Sequence, residues 1–317
     1  MPWTRLLENH PRLPTTNLPE WFASLLQACP AAAPFELAVL GGARAATPGL
    51  AFLAGYQGAL RVLWPSAPAS LGALCVTENK STRPADMSTR LQGLLLNGRK
   101  DFVTAGDAAD WMLVAAREDA AGESPRLALA VVHAGAPGLR VENLPALPLM
   151  PDVSHARMHL QDVHCERLAG DGWDAYVKPF RSIEDVHVLA ALTAWLFGVG
   201  RECAWSQTLQ LGLLALLSGC AEVARRDPSA AATHVLLAGV FAQQQALQTE
   251  LDAAFVSGPE QWKKLWQRDR NLLAVAGAAR SKRLAKALQT LGMQAYGGLA
   301  ASRLPSSRLV CGLNSAD

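Results

Sequence analysis

Hydrophobic and polar positions change rhythm twice along this chain. The first thirty-five residues are rich in Pro and Ala, and up to residue 70 apolar positions recur at helical spacing only over Pro19 to Cys29 and Ala43 to Trp64. That segment predicts two or three helices, closed by Pro65-Ser-Ala-Pro68. From Leu71 to about Cys165 the texture turns to short runs with strand character: Ala73 to Thr77, Leu91 to Leu96, Asp101 to Thr104, Trp111 to Ala116, Leu127 to His133, Leu139 to Val141 and Arg157 to Leu160. Asn97-Gly98 between two of these runs predicts a hairpin, because a type I′ turn needs positive φ at both central residues. Helical spacing returns from Trp173 onward, over Ile183 to Leu217, Ala230 to Val256, Glu260 to Ala278 and Arg280 to Tyr296. Asp227-Pro-Ser and Ser257-Gly-Pro punctuate it as short connections would. The expected fold is therefore α+β and multi-domain: a short N-terminal helical segment (1–70), a central β-barrel (71–172) and a C-terminal up-and-down four-helix bundle (173–317).

Composition narrows the function classes. With 317 residues, half of them apolar, the chain can bury one large core or several smaller ones. The net charge is +2 and no basic run is interleaved with aromatics, so nucleic acid is a poor partner. Six cysteines without a CxxC pair read as buried thiols of a reducing compartment rather than a zinc site or disulfide framework. No apolar h-region follows Met-Pro-Trp-Thr-Arg, so the expected location is cytoplasmic. Val186 to Gly200 is apolar but short for a membrane span and reads as a buried core helix. His155, His159 and His164 do not suggest a metal: His159 and His164 fall on opposite strand faces, and His155 and His159 sit ~13 Å apart. They read as surface histidines, and no metal site is expected.

The strand motifs carry more. Ala73-Leu-Cys75-Val76-Thr77-Glu78, and then Leu96-Asn-Gly-Arg-Lys-Asp-Phe102-Val103-Thr104 some twenty residues on, resemble the flavin-binding β-domain of the acyl-CoA dehydrogenase family, a resemblance extending over roughly residues 50–312. It implies FAD as cofactor. Backbone amides around Cys75 and Val76, with the Thr77 hydroxyl, would lie against the flavin pyrimidine ring, where donors stabilise the reduced ring's charge. Phe102-Val103-Thr104 matches the family's Trp-Ile/Val-Thr, whose aromatic packs on the flavin and whose threonine reaches N5; Phe keeps the stacking and drops an indole donor. The family's glycine-rich loop is here Asn79-Lys80-Ser81-Thr82-Arg83-Pro84. It has lost both glycines, with Ser81 and Thr82 at the cofactor-contact positions and Lys80 and Arg83 as candidate phosphate cations. Gln294-Ala-Tyr-Gly297-Gly298-Leu-Ala300 resembles the family's Gln-x-x-Gly-Gly-x-Gly, which reaches the cofactor's adenosine-diphosphate half from a neighbouring subunit; a helix C-cap explains the glycines equally well.

Two working parts have no counterpart. The family's Arg-x-x-Phe-Gly clamp on the FAD pyrophosphate finds no match in Ser206 to Cys220, and Cys311-Gly312 stands where an Arg-Asp precedes the usual catalytic glutamate. Some members carry the base on the first bundle helix instead, within one position of Glu184, although a Glu-Asp pair at a helix start is also what the helix dipole favours. The resemblance implies FAD-dependent oxidation of the Cα–Cβ bond of an acyl-CoA thioester, with electrons passed to an electron-transfer flavoprotein. It also implies a homodimer or tetramer formed through the bundle. The alternatives are a non-catalytic or half-site subunit paired with a full-length homologue, and a flavin-dependent monooxygenase on the same scaffold.

Overall fold

Prolines and short polar caps decide where the first helices begin. The computed structural model describes residues 3–8, 10–15, 17–118 and 126–293. After a single turn, α1 (Trp3–Leu7), come α2 (Leu18–Ala28), α3 (Pro34–Arg44) and α4 (Pro48–Leu63). Asn17 caps α2 by accepting from the Glu20 amide at 2.9 Å, and Thr47 caps α4 by accepting from Leu50. Prolines at the first turns of α2, α3 and α4 cost nothing there, since those N–H groups have no helical acceptor. The apolar spacing from Ala43 hides a break: α3 ends at Arg44 with Ala45 as its C-cap, and Thr47 opens α4.

The strands are β1 (Gly72–Cys75), β2 (Arg90–Gln92), β3 (Leu95–Thr104), β4 (Trp111–Glu118), β5 (Arg126–His133), β6 (Leu139–Asn143), β7 (His155–His164) and β8 (Glu166–Arg167). They form one curled sheet in the order β6-β7-β3-β2-β4-β5-β8, with β1 parallel to β4. Alternation sorts the side chains into two cores. Ala73, Cys75, Met112, Val114, Ala128, Ala130 and Val132 fill the concave interior. Leu74, Trp111, Leu113, Leu127, Leu129 and Val131 face outward into the core shared with the helices. Covered on both faces, these central strands read as continuous apolar runs.

Asn97-Gly98 is not the hairpin turn. Gln92 pairs with Leu95, so Gly93 and Leu94 make the connection, and Gly93 at φ 60° takes the positive-φ position that a II′ turn reserves for glycine. Asn97 and Gly98 lie inside β3. The Asn97 amide exchanges hydrogen bonds with Asp162 on β7, and a Cβ on Gly98 would stand 2.6 Å from the Thr89 Cα, so close strand approach explains this glycine.

The helical spacing from Ile183 to Leu217 resolves into two helices, α5 (Lys178–Glu202) and α6 (Gln207–Val223). Ala204 at φ 50° turns the chain, and Ser206 caps α6 by accepting from Leu209. There follow α7 (Ala231–Ala246), α8 (Gln248–Val256), α9 (Glu260–Asp269) and α10 (Gly277–Thr290). α5 packs on α6, α6 on α7 and α7 on α10, while α3 and α4 cover another side of α5. Among the described residues one helical stretch, Trp173–Glu202, is long and apolar enough to cross a membrane, and 94% of its most apolar window is buried inside the protein. A cluster of carboxylates and arginines ties the segments together. Asp152, before β7, accepts from Thr47 of α4 and from Arg268 of α9, and the neighbouring Asp269 accepts from the Met150 amide at 2.9 Å.

Candidate functional site

A bulge in β3 orients the residues that matter. Lys100 pairs with Met158 and Val103 with Ala156, three residues against two, so one extra residue sits at Asp101-Phe102 and the alternation shifts parity. Leu96 and Lys100 point inward before the bulge and Val103 after it; Phe102 and Thr104 are thereby turned out of the interior. Thr104 stands opposite His155 on β7, and the Phe102 and His155 rings meet at 4.5 Å between centroids. His155 is fully buried, which corrects its reading as a surface histidine. Burial lowers its pKa to about 4, a backbone hydrogen bond with Val153 offsetting only part of the effect, and among the described residues its ring nitrogens have no side-chain partner.

Helix α4 meets this outward face with two polar side chains. Gln57 completes the edge of β1, its amide donating to the Gly72 carbonyl at 2.8 Å and accepting from the Gly72 N–H at 3.1 Å. On the preceding residue, the buried Tyr56 phenol accepts from the Leu74 N–H at 2.8 Å and is hydrogen-bonded to the Thr104 hydroxyl. Burial raises the Tyr56 pKa, and the nearby Glu184 carboxylate raises it further. Glu184 itself, on α5, is pushed up to about 8, first by burial and then by repulsion from Asp185. Helix α5 starts at Lys178 after a π turn over Trp173–Val177, so Glu184 and Asp185 lie beyond the first turn, out of reach of the dipole effect.

The loop after β1 takes a tight path without glycine. Glu78 and Ser81 exchange backbone hydrogen bonds at 2.9 and 2.8 Å around Asn79 at φ 48° and Lys80 at φ 64°, which is a two-residue turn with both central residues left-handed. Glu78 anchors it from below. Its carboxylate accepts from the buried Lys100 Nζ at 2.5 Å, from the Ser88 amide and hydroxyl, and from the Thr89 amide. Burial alone would raise the Glu78 pKa; Lys100 and these donors outweigh it and hold the group at about 2. Ser81 is committed to the turn, donating to Asp86 at 2.6 Å. Thr82, buried, accepts from Arg181 Nη2 at 2.9 Å.

Arg181 belongs to a cluster of guanidiniums between α5 and α10. It lies 5.0 Å over the Trp173 ring, while Arg280 and Arg283 of α10 both pair with Asp185. Burial, with repulsion from Arg283, lowers the Arg181 pKa. A concavity of about 410 Å³ lies elsewhere, between Cys203–Leu209 and α8.

Of the residues singled out in the sequence, Val76, Phe102 and Thr104 turn away from the interior, Thr82 lies against α5, Glu184 is on α5, and Thr77 is buried at the Asp101 amide. Two do not present side chains there. Cys75 and Val103 fill the interior, and burial drives the Cys75 thiol up to about 12, leaving both only their main chain to offer. Gln294, Gly297 and Gly298 lie outside the described residues. The sequence reading missed Tyr56, His155, Arg181 and Arg283. A tyrosine and a glutamine side by side in the apolar run Ala51 to Leu60 were the available signal, since buried polar groups need partners. Among the described residues no three His, Cys, Asp or Glu side chains converge on a metal position.

The comparisons with known proteins bear on this curled sheet and the helices against it. Residues 73–163 match the acyl-CoA dehydrogenase middle domain. Three of the solved structures that resemble most of the chain are as follows. FkbI, for biosynthesis of the methoxymalonyl extender unit of the polyketide Fk520, has TM-score 0.63 and 18% identity, covering 89% of this chain and 94% of its own. Butyryl-CoA dehydrogenase from Megasphaera elsdenii has TM-score 0.63 and 15% identity, with coverages of 86% and 90%. The FAD complex of PigA has TM-score 0.59 and 16% identity, with coverages of 86% and 89%. No curated protein sequence matches the chain. The middle segment thus matches the acyl-CoA dehydrogenase middle domain, and the chain as a whole has a fold similar to that of these structures.

Proposed function

We propose that this chain is an FAD-dependent oxidoreductase acting on an acyl thioester, with the flavin held between the outward face of the sheet and the helices. The observation that carries this reading is the juxtaposition of Thr104, Tyr56 and a carboxyl, Glu184, raised to about 8. A base for a weakly acidic Cα–H works best with a pKa near the working pH, and burial has moved Glu184 from the ordinary carboxylate range to that point. Bound there, the flavin supplies the hydride acceptor. The chain's own residues orient and tune: Thr104 keeps unused hydrogen-bonding capacity after its bond to Tyr56, because a hydroxyl donates once and accepts twice. Among the described residues, His155 offers a buried ring nitrogen without a side-chain partner, and Phe102 an aromatic face beside it. Those polar atoms fit a polar cofactor better than an apolar lining would.

The substrate is an acyl-CoA or a similarly tethered acyl thioester, and the protein assembles through its helices into a dimer or tetramer. The test is spectroscopic. Purified protein should show the absorption of oxidised flavin and bleach when given an acyl thioester without oxygen; Glu184→Gln should keep the flavin spectrum and lose the bleaching. Protein that binds FAD yet bleaches equally well as Glu184→Gln removes Glu184 from the chemistry. Protein that takes up no FAD until a homologous subunit is added supports the half-site alternative instead.

A further inference from the structure

Among the described residues no carboxylate pairs with Arg181. Its guanidinium is largely buried, rests on Trp173, and its hydrogen bond goes to a neutral hydroxyl, that of Thr82. Arg283 stands close enough to repel it, and two of the Arg283 donors, Nε and Nη1, are buried with no acceptor among the described residues. Around them the charges do not cancel: Arg181, Arg280 and Arg283 face Asp185, while Glu184, with its pKa at about 8, is mostly protonated at neutral pH. Buried donors left unpaired cost free energy, and a guanidinium in such a place is well suited to phosphate, which it grips through two parallel N–H bonds.

We infer that Arg181, Arg283 and Thr82 form a binding site for the diphosphate of a nucleotide ester, either FAD or coenzyme A. The inference deepens the flavoprotein reading and rests on it for the identity of these two ligands. It supplies from within this chain a cation for which the sequence offered no Arg-x-x-Phe-Gly clamp. Trp173, carried on the π turn before α5, fixes the plane of the Arg181 guanidinium, and Thr82 fixes its edge. Arg181 is thereby pre-organised, so little side-chain entropy is lost on binding.

Calorimetric titration of the full chain with inorganic pyrophosphate, FAD and coenzyme A tests it. Pyrophosphate and at least one of the two nucleotides should bind. Arg181→Gln should weaken that binding about tenfold to a hundredfold, with Arg181→Lys intermediate, while Arg140→Gln, an exposed arginine on β6, leaves it unchanged. Thr82→Val, which keeps the cation and removes only its hydroxyl partner, should weaken binding by a smaller factor. A loss confined to FAD or to coenzyme A identifies the source of the diphosphate. Retained affinity in a folded Arg181→Gln variant, or no binding of any of the three probes to the unmodified chain, overturns the site. Coenzyme A binding that depends on Arg181, with no FAD taken up, would leave the site standing and remove the flavin.

Discussion

Two clusters of carboxyl and cation lie a short distance apart in this molecule and are built in opposite ways. At the rim of the sheet, Glu78 and Lys100 are both buried and fully engaged: the carboxylate collects four donors, and the ammonium adds a bond to the Val76 carbonyl at 3.3 Å. Between α5 and α10, among the described residues, Arg283 keeps donors unpaired, Arg181 has only a neutral partner, and Glu184 is raised to about 8 while Glu78 is held at about 2. A satisfied buried network fixes the backbone. An unsatisfied one has capacity left for something the chain does not contain. The first is scaffold for the Asn79-Lys80 turn, and the second is where a ligand completes the structure.

The sharpest way to break this contrast is to remove one partner from each cluster. Lys100→Met strands the Glu78 carboxylate, so it should cost about 3–5 kcal/mol in urea unfolding, and Lys100→Met with Glu78→Leu should recover much of that. Arg181→Gln should cost within about 1 kcal/mol, since no carboxylate depends on it. Equal losses at the two sites would erase the distinction.

Proton linkage gives the next largest effect, with opposite signs. Glu184 binds a proton more tightly folded than unfolded, so the stability it confers below its ordinary pKa of 4.5 is lost as pH rises through about 8. Glu78 behaves conversely, stabilising the fold above 4.5 and losing that contribution as pH falls through about 2. Glu184→Gln should therefore flatten the decline in stability between mildly acidic and alkaline pH. A tenfold change in proton affinity is worth ~1.4 kcal/mol, making the effect on the order of a few kcal/mol. A pH–stability curve of that variant superimposable on the parent's would show that Glu184 ionises normally. If Glu184 is the base, turnover should rise with pH through the same range.

How much of this is legible in the sequence follows from what each feature depends on. The rhythm and the strand runs reflect local periodicity, which the sheet follows closely, while the helical stretches from Ile183 and Ala230 each divide into two helices. The hairpin expectation fails because Asn97-Gly98 carries a strong local turn signal that tertiary contact overrides: the glycine is there to admit Thr89, and the turn moves to Gly93-Leu94. Cys75 and Val103 do not face a ligand with their side chains, and for Val103 the cause is a shift in parity from a one-residue bulge, which no alternation pattern announces. Thr104, Thr82 and Glu184 are visible through their motifs. Of their companions, Tyr56 meets Thr104, Arg181 meets Thr82 and Arg283 meets Asp185 beside Glu184 across about 50 to 100 residues of sequence, and only packing brings them together.

The smallest expected effect lies in the turn that the Glu78–Lys100 pair supports. Lys80 holds φ 64° in the second central position, where a side chain meets the following carbonyl at a cost of roughly 1–2 kcal/mol, and Asn79 at φ 48° occupies the first, which asparagine tolerates well. Asn-Gly is the pair such a turn favours, so Lys80→Gly relieves the strain while giving the unfolded chain more freedom; the balance should be a gain of about 0.5 kcal/mol. Lys80 is exposed and lies two residues before Thr82, so the same variant separates scaffold from site. A gain in stability with pyrophosphate affinity unchanged assigns the turn to the satisfied cluster alone. A gain accompanied by weaker pyrophosphate binding extends the anion site across the turn to Lys80, at a position where this chain keeps a strained lysine in place of a relaxed glycine.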